Sequence, residues 1–455
     1  MALLFTLIVT IIVGYLVFKN YKAQTVLLLG GIVLMAGAIV LGTGQILPAK
    51  SSTGLPWFDI YEFIKNTFSS TTASLGLMIM AVAGFARYME EIGASKVLVK
   101  LAVKPLSKIH APYLVLSATY ILGQFLALFI PSASGLGVLL MVTVYPILIS
   151  LGVSKLSAVA AIGTTQSLDI GPASGNSVLS AKNAGIDVAT YFTNYQIPVG
   201  ICIVVIVAVL HYLVQQWFDK KSGHVVKKSE LIVADLNKDE IYPPLIYAIL
   251  PIIPLGLILT FSKIGIAAIK MDVITAMLIS ISISMLFEYI RYRDAKKIFS
   301  SIQVFFDGMG VQFATVITLI VAGQAFAEGL IKIGAIDTLI LFAQSSGLGG
   351  TAMIVVMTAI IAGSAILMGS GNAPFFAFAA LAPTVAAKMS LNAVQMLLPM
   401  QFAASIARSV SPITAVIVAV SGIAKVSPFD VVKRTAIPMA GAMIVNLIAT
   451  FLLVK

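Results

Sequence analysis

Uninterrupted apolar stretches recur along the whole chain, each roughly 18 to 25 residues long, enough for a helix to cross a bilayer. They read as spans at 2–18, 24–43, 72–92, 155–185, 192–217, 244–262, 270–290, 311–334, 393–424 and 434–454, with two longer stretches at 112–150 and 350–388. A backbone in lipid must satisfy its own hydrogen bonds, so segments of this kind fold as helices. Only 10% of the residues are charged, against about 25% in soluble domains, and this excludes a water-soluble enzyme. The 35 Gly and 18 Pro point to interrupted membrane helices rather than to disorder. Met1 to Phe18 has neither a basic n-region nor a small-residue cleavage site, so the first span is expected to be retained.

Other classes fall away quickly. A single Cys excludes a disulfide framework or a thiolate metal cluster. The net charge of +11 suggests nucleic acid only if it gathers on a soluble domain, and no segment is long enough to be one. No His-Glu-x-x-His zinc motif and no Walker loop occurs, so no metal or cofactor is expected. The Ser-Ala-Ser-Gly run at 132–135 raises an intramembrane serine protease, but its counterpart in the second half has the same character, and a duplicated nucleophile has no use.

The two halves repeat. Ile92-Gly93-Ala94 returns as Ile333-Gly334-Ala335, a shift of 241; Pro172 returns as Pro412 and Pro198 as Pro438, a shift of 240. Residues 132–146 lie over 369–383 at a shift of 237. Duplicated halves with Gly/Pro-interrupted segments at matching places mark secondary transporters. The division is a first repeat at 1–218, a cytoplasmic linker at 219–241 and a second repeat at 242–455.

The long stretches 112–150 and 350–388 each hold an uncharged small-residue tip, Pro131 to Gly135 and Gly369 to Pro374. If both are re-entrant hairpins, each half crosses five times and the halves are inverted. With the N-terminus outside, twenty of the 29 Lys and Arg then fall inside, eight fall outside, and Arg408 lies within a span. That bias obeys the positive-inside rule. The expectation is an all-α polytopic membrane protein of two inverted repeats, with about ten transmembrane helices, two re-entrant hairpins and two broken helices, 155–185 and 393–424. Both termini are expected to be periplasmic. Ser95 to Lys108 carries Lys96, Lys100, Lys104 and Lys108 at spacing four, a basic stripe suited to a connector at the lipid surface.

This architecture brings up to four half-helix N-termini to the membrane centre, two at the hairpin tips and two at Gly171-Pro172 and Ser411-Pro412. Their unpaired N–H groups and partial positive charge make them anion sites. The polar side chains there are Ser132, Ser134, Ser174, Asn176, Ser370, Asn372, Ser409, Ser411 and Thr414. Taken singly, any of these could serve only close helix packing. An Arg near a span centre costs about 2.5–3.5 kcal/mol on the milder insertion scale, so Arg408 needs a partner. It either binds a substrate carboxylate with its planar fork or forms a fixed pair with Asp169. Asp169 is a candidate for proton or cation coupling, a tether for Arg408, or simply wetted. Arg87 with Glu91, and Glu328 with Lys332, are spaced as helix-surface pairs of structural character. His211 reads as a packed or interfacial histidine.

The runs GFARYMEEIGASKVLVKLAVKPL (84–106), SASGLGVLLM (132–141), GSGNAPFFAF (369–378) and RSVSPITAVIVAVSGIAKVSPFDVVKRTAIP (408–438) resemble the anaerobic four-carbon dicarboxylate transporter family DcuC, over nearly the whole chain. The resemblance implies uptake, efflux or exchange of succinate, fumarate, malate or aspartate across a bacterial inner membrane. Through its superfamily it also implies a homodimer and elevator-like movement of a transport domain. By motif it points to Ser132–Gly137, Gly171–Asn176, Gly369–Pro374 and Arg408–Thr414, which adds Gly135 and Gly371 to the candidates. The chain departs from the family pattern at one place: Asp169 precedes Pro172, and Asn176 follows Ser174-Gly175. Antiport, proton symport and sodium symport stay open. So do a carrier of another small anion, the large membrane subunit of a binding-protein-dependent carrier, and a channel.

Overall fold

The computed structural model describes residues 2–19, 21–224, 242–262, 265–266, 268–269, 271–345 and 349–454. The linker's Lys227, Lys228 and Lys238 lie outside the described residues. Every regular element among the described residues is helical, and seven of the helices are long and apolar enough to cross a membrane. Six of these are expected crossings. The seventh, Gly350–Met368, is the first arm of the second hairpin.

The helices run in the same order twice. Ala2–Phe18, Ala23–Leu41 and Pro56–Glu91 correspond to 245–260, Val273–Tyr292 and Ala295–Lys332. A short helix follows in each half, Ala94–Val103 or Ala335–Ser345. The glycine that turns into it is left-handed both times, Gly93 at φ +74° and Gly334 at φ +82°. A conformation that side chains resist explains why this landmark is shared. A widened π-turn also recurs 241 residues apart, at Thr72–Gly76 and Phe313–Ile317. Such turns mark a local change of helix path.

Two expected spans were too short. The helices begin at Pro56 and Ala295, not at 72 and 311. Their first turns carry Asp59, Glu62 and Lys65, or Lys296, Lys297 and Asp307, which lower the apolar average without opposing helix. The helix before the linker also runs on to Lys221, so Asp219 belongs to it.

The helices form two packed groups. In the first, the long helices pair with one another: Ala23–Leu41 with Thr318–Lys332, and Leu77–Glu91 with Gln303–Gln312. The second contains the hairpins, the broken helices, and the antiparallel pair Ile197–Lys221 and Pro428–Leu453. Glycine lets the long helices cross closely. A Cβ on Gly84 would stand 2.6 Å from the Phe305 carbonyl oxygen, and one on Gly308 would stand 2.9 Å from the Gly84 Cα. Gly84→Val is therefore expected to cost about 1–3 kcal/mol through overpacking, read as a lower thermal midpoint in detergent. Gly14→Val, whose Cβ meets nothing within 4 Å, is the control. In the connector Ala94–Val103, Val97 and Val99 are fully buried while Lys96 and Lys100 face outward, with Lys100 Nζ 3.5 Å from the Tyr242 ring centre.

Candidate substrate site

Both long apolar stretches fold back on themselves. The first runs down Pro112–Leu126 and returns through Ala133–Thr143 and Tyr145–Ser150; the second runs down Gly350–Met368 and returns through Asn372–Phe378 and Ala382–Lys388. The returning arm of the first starts with Ser132 as N-cap, its Oγ accepting the Gly135 N–H at 3.1 Å. At the second tip, Ser370 Oγ accepts from the Ala373 N–H at 3.3 Å.

The broken spans stop at Gly163 and Arg408 and restart at Gly175 and Ala415. Neither restart is at the proline. Pro172 and Pro412 sit in turns closed by Ser174 N–H to Gly171 O at 3.0 Å and Thr414 N–H to Ser411 O at 3.3 Å. The fixed proline φ begins that turn, and the residue closing it takes the cap. Ser174 Oγ accepts from the Ser177 N–H at 3.2 Å, whereas Thr414 spends its hydroxyl on the Arg408 carbonyl at 2.6 Å.

Three buried glutamines hold the unwound stretch 164–174. Gln124 accepts the Leu168 N–H and donates to the Leu168 carbonyl, each at 3.0 Å. Gln196 accepts the Gly171 N–H at 3.0 Å and donates to Ser177 Oγ at 2.8 Å. Gln401, from the opposite repeat, donates to the Asp169 carbonyl at 2.7 Å and accepts from Tyr191 at 2.8 Å. Away from water, broken backbone persists only where protein supplies the missing partners. Gln401→Leu leaves the Asp169 carbonyl and the hydroxyls of Ser177, Ser180 and Tyr191 without this partner. It is expected to destabilise the fold by about 1–3 kcal/mol, checked by thermal unfolding in detergent.

A cavity of about 320 Å³ lies between the two groups of helices. The hairpin and broken-helix side contributes Ser132, Asp169, Ser174, Gly175 and Asn372; the long helices contribute Arg87, Glu90 and Gln312. Three helix starts, at Ala133, Gly175 and Asn372, thus meet one space. The fourth, at Ala415, does not line it. Asn176 is fully buried behind this wall. It donates to Asp169 Oδ2 at 2.8 Å and to Asn372 Oδ1 at 3.1 Å, which ties the first break to the second hairpin. Asn176 Oδ1 and Ser411 Oγ are buried without a hydrogen-bond partner among the described residues. Ser134 is half-buried and does not line the cavity.

Arg408 is half-buried, with its Cδ 3.2 Å from where a Cβ on Gly371 would stand. Its Nη2 donates to the Gln166 carbonyl at 3.0 Å; Nε and Nη1 have no partner among the described residues. No Arg408–Asp169 ion pair forms among the described residues, because Asp169 turns to Asn176 and Arg408 to Gln166. The two charges thus make no direct contact in this conformation, though each acts on the other through space. A second expectation also needs correcting. Glu328 and Lys332 pair at 3.4 Å as a helix-surface couple should, but Arg87 turns to the cavity and is not paired with Glu91 among the described residues. His211 is packed as expected, between Thr164 Oγ1 at 2.8 Å and Gln215 Nε2 at 3.3 Å. The reading of the sequence missed Gln124, Gln196, Gln401 and Glu90. The three glutamines carried a signal, since an uncharged amide inside an apolar span needs a partner.

The model of the family described as "DcuC: C4-dicarboxylate anaerobic carrier" matches residues 1–455. A probable anaerobic C4-dicarboxylate transporter DcuC of Vibrio cholerae is 38% identical over 454 residues, covering 99% of this chain and 98% of that protein. The anaerobic C4-dicarboxylate transporter DcuC of Escherichia coli K12 is 35% identical over 452 residues, covering 99% and 96%. Among solved structures, the Neisseria gonorrhoeae MtrF efflux pump matches with TM-score 0.65 at 13% identity, covering 94% of each chain. The Alcanivorax borkumensis YdaH transporter matches with TM-score 0.61 at 12% identity, covering 95% of this chain and 98% of that one. At such identities these two speak for the fold alone.

Proposed function

The chain belongs to the DcuC family of C4-dicarboxylate anaerobic carriers, and from that premise we propose that it is a secondary active carrier of succinate, fumarate, malate or aspartate across the bacterial inner membrane. The observation that carries this reading is the meeting of three helix N-termini at one cavity of about 320 Å³; Arg408, with uncommitted donors, does not line that cavity, but its charge acts on Asp169, which does. That volume lies at the small end of ligand sites, about 300–1,000 Å³. A helix start carries about half a positive charge, so three starts and one guanidinium suit a small dianion. Of the proposed substrate shell, Ser132, Ser174 and Asn372 line this cavity, whereas Ser134, Gly135, Asn176, Ser370, Gly371, Arg408, Ser411 and Thr414 do not line it in this conformation. The two orphaned acceptors, Asn176 Oδ1 and Ser411 Oγ, give a ligand or cation something to bind.

The cavity's walls come from both groups of helices, which favours elevator-type alternating access. The hairpins and broken helices move as a body, and the long helices stay as the scaffold of a homodimer. Under the charge bias of the loops the termini are periplasmic and the cavity, with Arg87 at its edge, opens to the cytoplasm. The purified chain alone should catalyse counterflow of labelled succinate in proteoliposomes. A requirement for a periplasmic binding protein and a small membrane subunit would instead make it one part of a larger carrier. Flux without counterflow would make it a channel.

Asp169 is the proposed coupling group. Two like unit charges 4 Å apart repel by about 4 kcal/mol at an effective dielectric of 20, so a carboxylate in an anion site must be neutralised as the guest arrives. A proton or a sodium ion serves. Asp169→Asn is expected to keep counterflow and to lose acceleration of uptake by the proton or sodium gradient. Acceleration equal to wild type in D169N would remove Asp169 from the coupling step.

A further inference from the structure

We propose that Glu90 is a built-in competitor for the dicarboxylate, its carboxylate standing at the start of the first hairpin's returning arm until substrate displaces it, and that Arg87 receives the displacing carboxylate. The proposal rests on the carrier reading of the cavity. Glu90 Oε1 lies 2.6 Å from where a Cβ on Gly135 would stand, so the carboxylate rests against the glycine and a side chain there would push it aside. Gly135 lies in the first turn of Ala133–Thr143, an eleven-residue helix that starts at the cavity wall. A carboxylate is favoured beside such a start, and the substrate's carboxylate would be favoured there for the same reason. Glu90 and Arg87 are one helical turn apart on the Leu77–Glu91 helix, and both line the cavity. Neither takes part in a hydrogen bond or ion pair among the described residues, although both face the same space and the Arg87 charge acts on Glu90 through it. They are therefore not locked to each other, and each can change partner without breaking a pair.

The arrangement belongs to one side only. A shift of 241 carries Glu90 to Ile331, while it carries Arg87 and Glu91 to Glu328 and Lys332, which pair with one another at 3.4 Å. In the elevator reading, the hairpin meets a competing carboxylate at one end of its travel and a self-neutralised pair at the other. Glu90 then does two things. It occupies the start of the empty hairpin's returning arm, and it helps expel the bound dianion on the side where it stands.

The test is equilibrium binding of labelled succinate to the purified full chain, together with turnover in proteoliposomes. A competitor that occupies a site in most molecules raises the apparent Kd by the inverse of the free fraction. E90Q removes the charge and keeps the shape, and is expected to lower Kd by about three- to tenfold and to lower turnover with it. R87Q is expected to raise Kd by a similar factor. Tighter binding with slower turnover is a split that a merely structural role does not produce. Should E90Q fail to fold, E90D carries the same test, because its shorter carboxylate no longer reaches Gly135 and Kd should again fall. An unchanged or raised Kd in the folded variant, with wild type binding succinate normally, overturns the role of Glu90 alone. Absence of succinate binding by wild type overturns the carrier reading and this proposal with it.

Discussion

Arg408→Ala is expected to weaken dicarboxylate binding by about 2–5 kcal/mol, the scale for removing one partner of a buried charge contact. In Kd this is a loss of roughly thirtyfold to a few thousandfold. The guanidinium reaches across the repeats to the Gln166 carbonyl with Nη2 alone, so it is anchored at one corner and can present the rest of its fork. Alanine removes the cation and the anchor together. Arg408→Lys separates the two effects, since it keeps the charge and loses the planar two-point geometry. Binding that survives in R408A while the thermal midpoint falls would show that Arg408 serves only to hold Gln166. Uptake of labelled succinate and thermal unfolding, measured on the same preparations, decide between the two.

The second large effect is on folding. Arg434 and Asp219 form a buried ion pair. Asp219 also accepts from Ser154 Oγ at 2.6 Å, from Ser157 Oγ at 2.9 Å and from Tyr113 at 3.1 Å. Ser154 is the N-cap of the first broken helix. One carboxylate therefore fixes the start of that helix, the end of Ile197–Lys221 and the early turns of Pro428–Leu453. Asp219→Ala leaves the arginine buried and unpaired and is expected to cost about 3–5 kcal/mol. Replacing both residues, Asp219→Leu with Arg434→Met, should recover part of that loss, because no unpaired charge is then left buried. Chemical or thermal unfolding in detergent measures both. A single variant as stable as wild type would show that the pair contributes nothing.

The duplication, the hairpins and the two breaks were all legible in the chain. Gly93 and Gly334 announce a left-handed turn, and Ser and Gly in the middle of an apolar stretch announce an interruption. These signals are local. What could not be read was the partner of each polar group. Gln401 and the Asp169 carbonyl are 232 residues apart, and a spacing rule within one element does not reach that far. Arg434 and Asp219 fail for a related reason. Each sits near the end of its helix, where a charge ordinarily meets water and headgroups, so nothing in the immediate sequence marks it as buried. Glu90 was overlooked because its neighbour Glu91 has the i, i+4 spacing to Arg87 that suggests a pair. Which of two adjacent acids faces the cavity depends on how the helix is rotated against its neighbours. The restart of the broken helices after Pro172 and Pro412, rather than at them, follows from a turn that only the folded backbone reveals.

The Arg434–Asp219 contact also has a meaning for biogenesis. The two residues are separated by 215 positions, so the first leaves the ribosome long before the second exists. Until the final helix arrives, the first repeat must keep an acid and its hydroxyl ligands ready at the membrane border with no counter-charge. The first broken helix therefore gains its arginine partner only once Pro428–Leu453 has been made, which ties the seating of that helix to the second repeat.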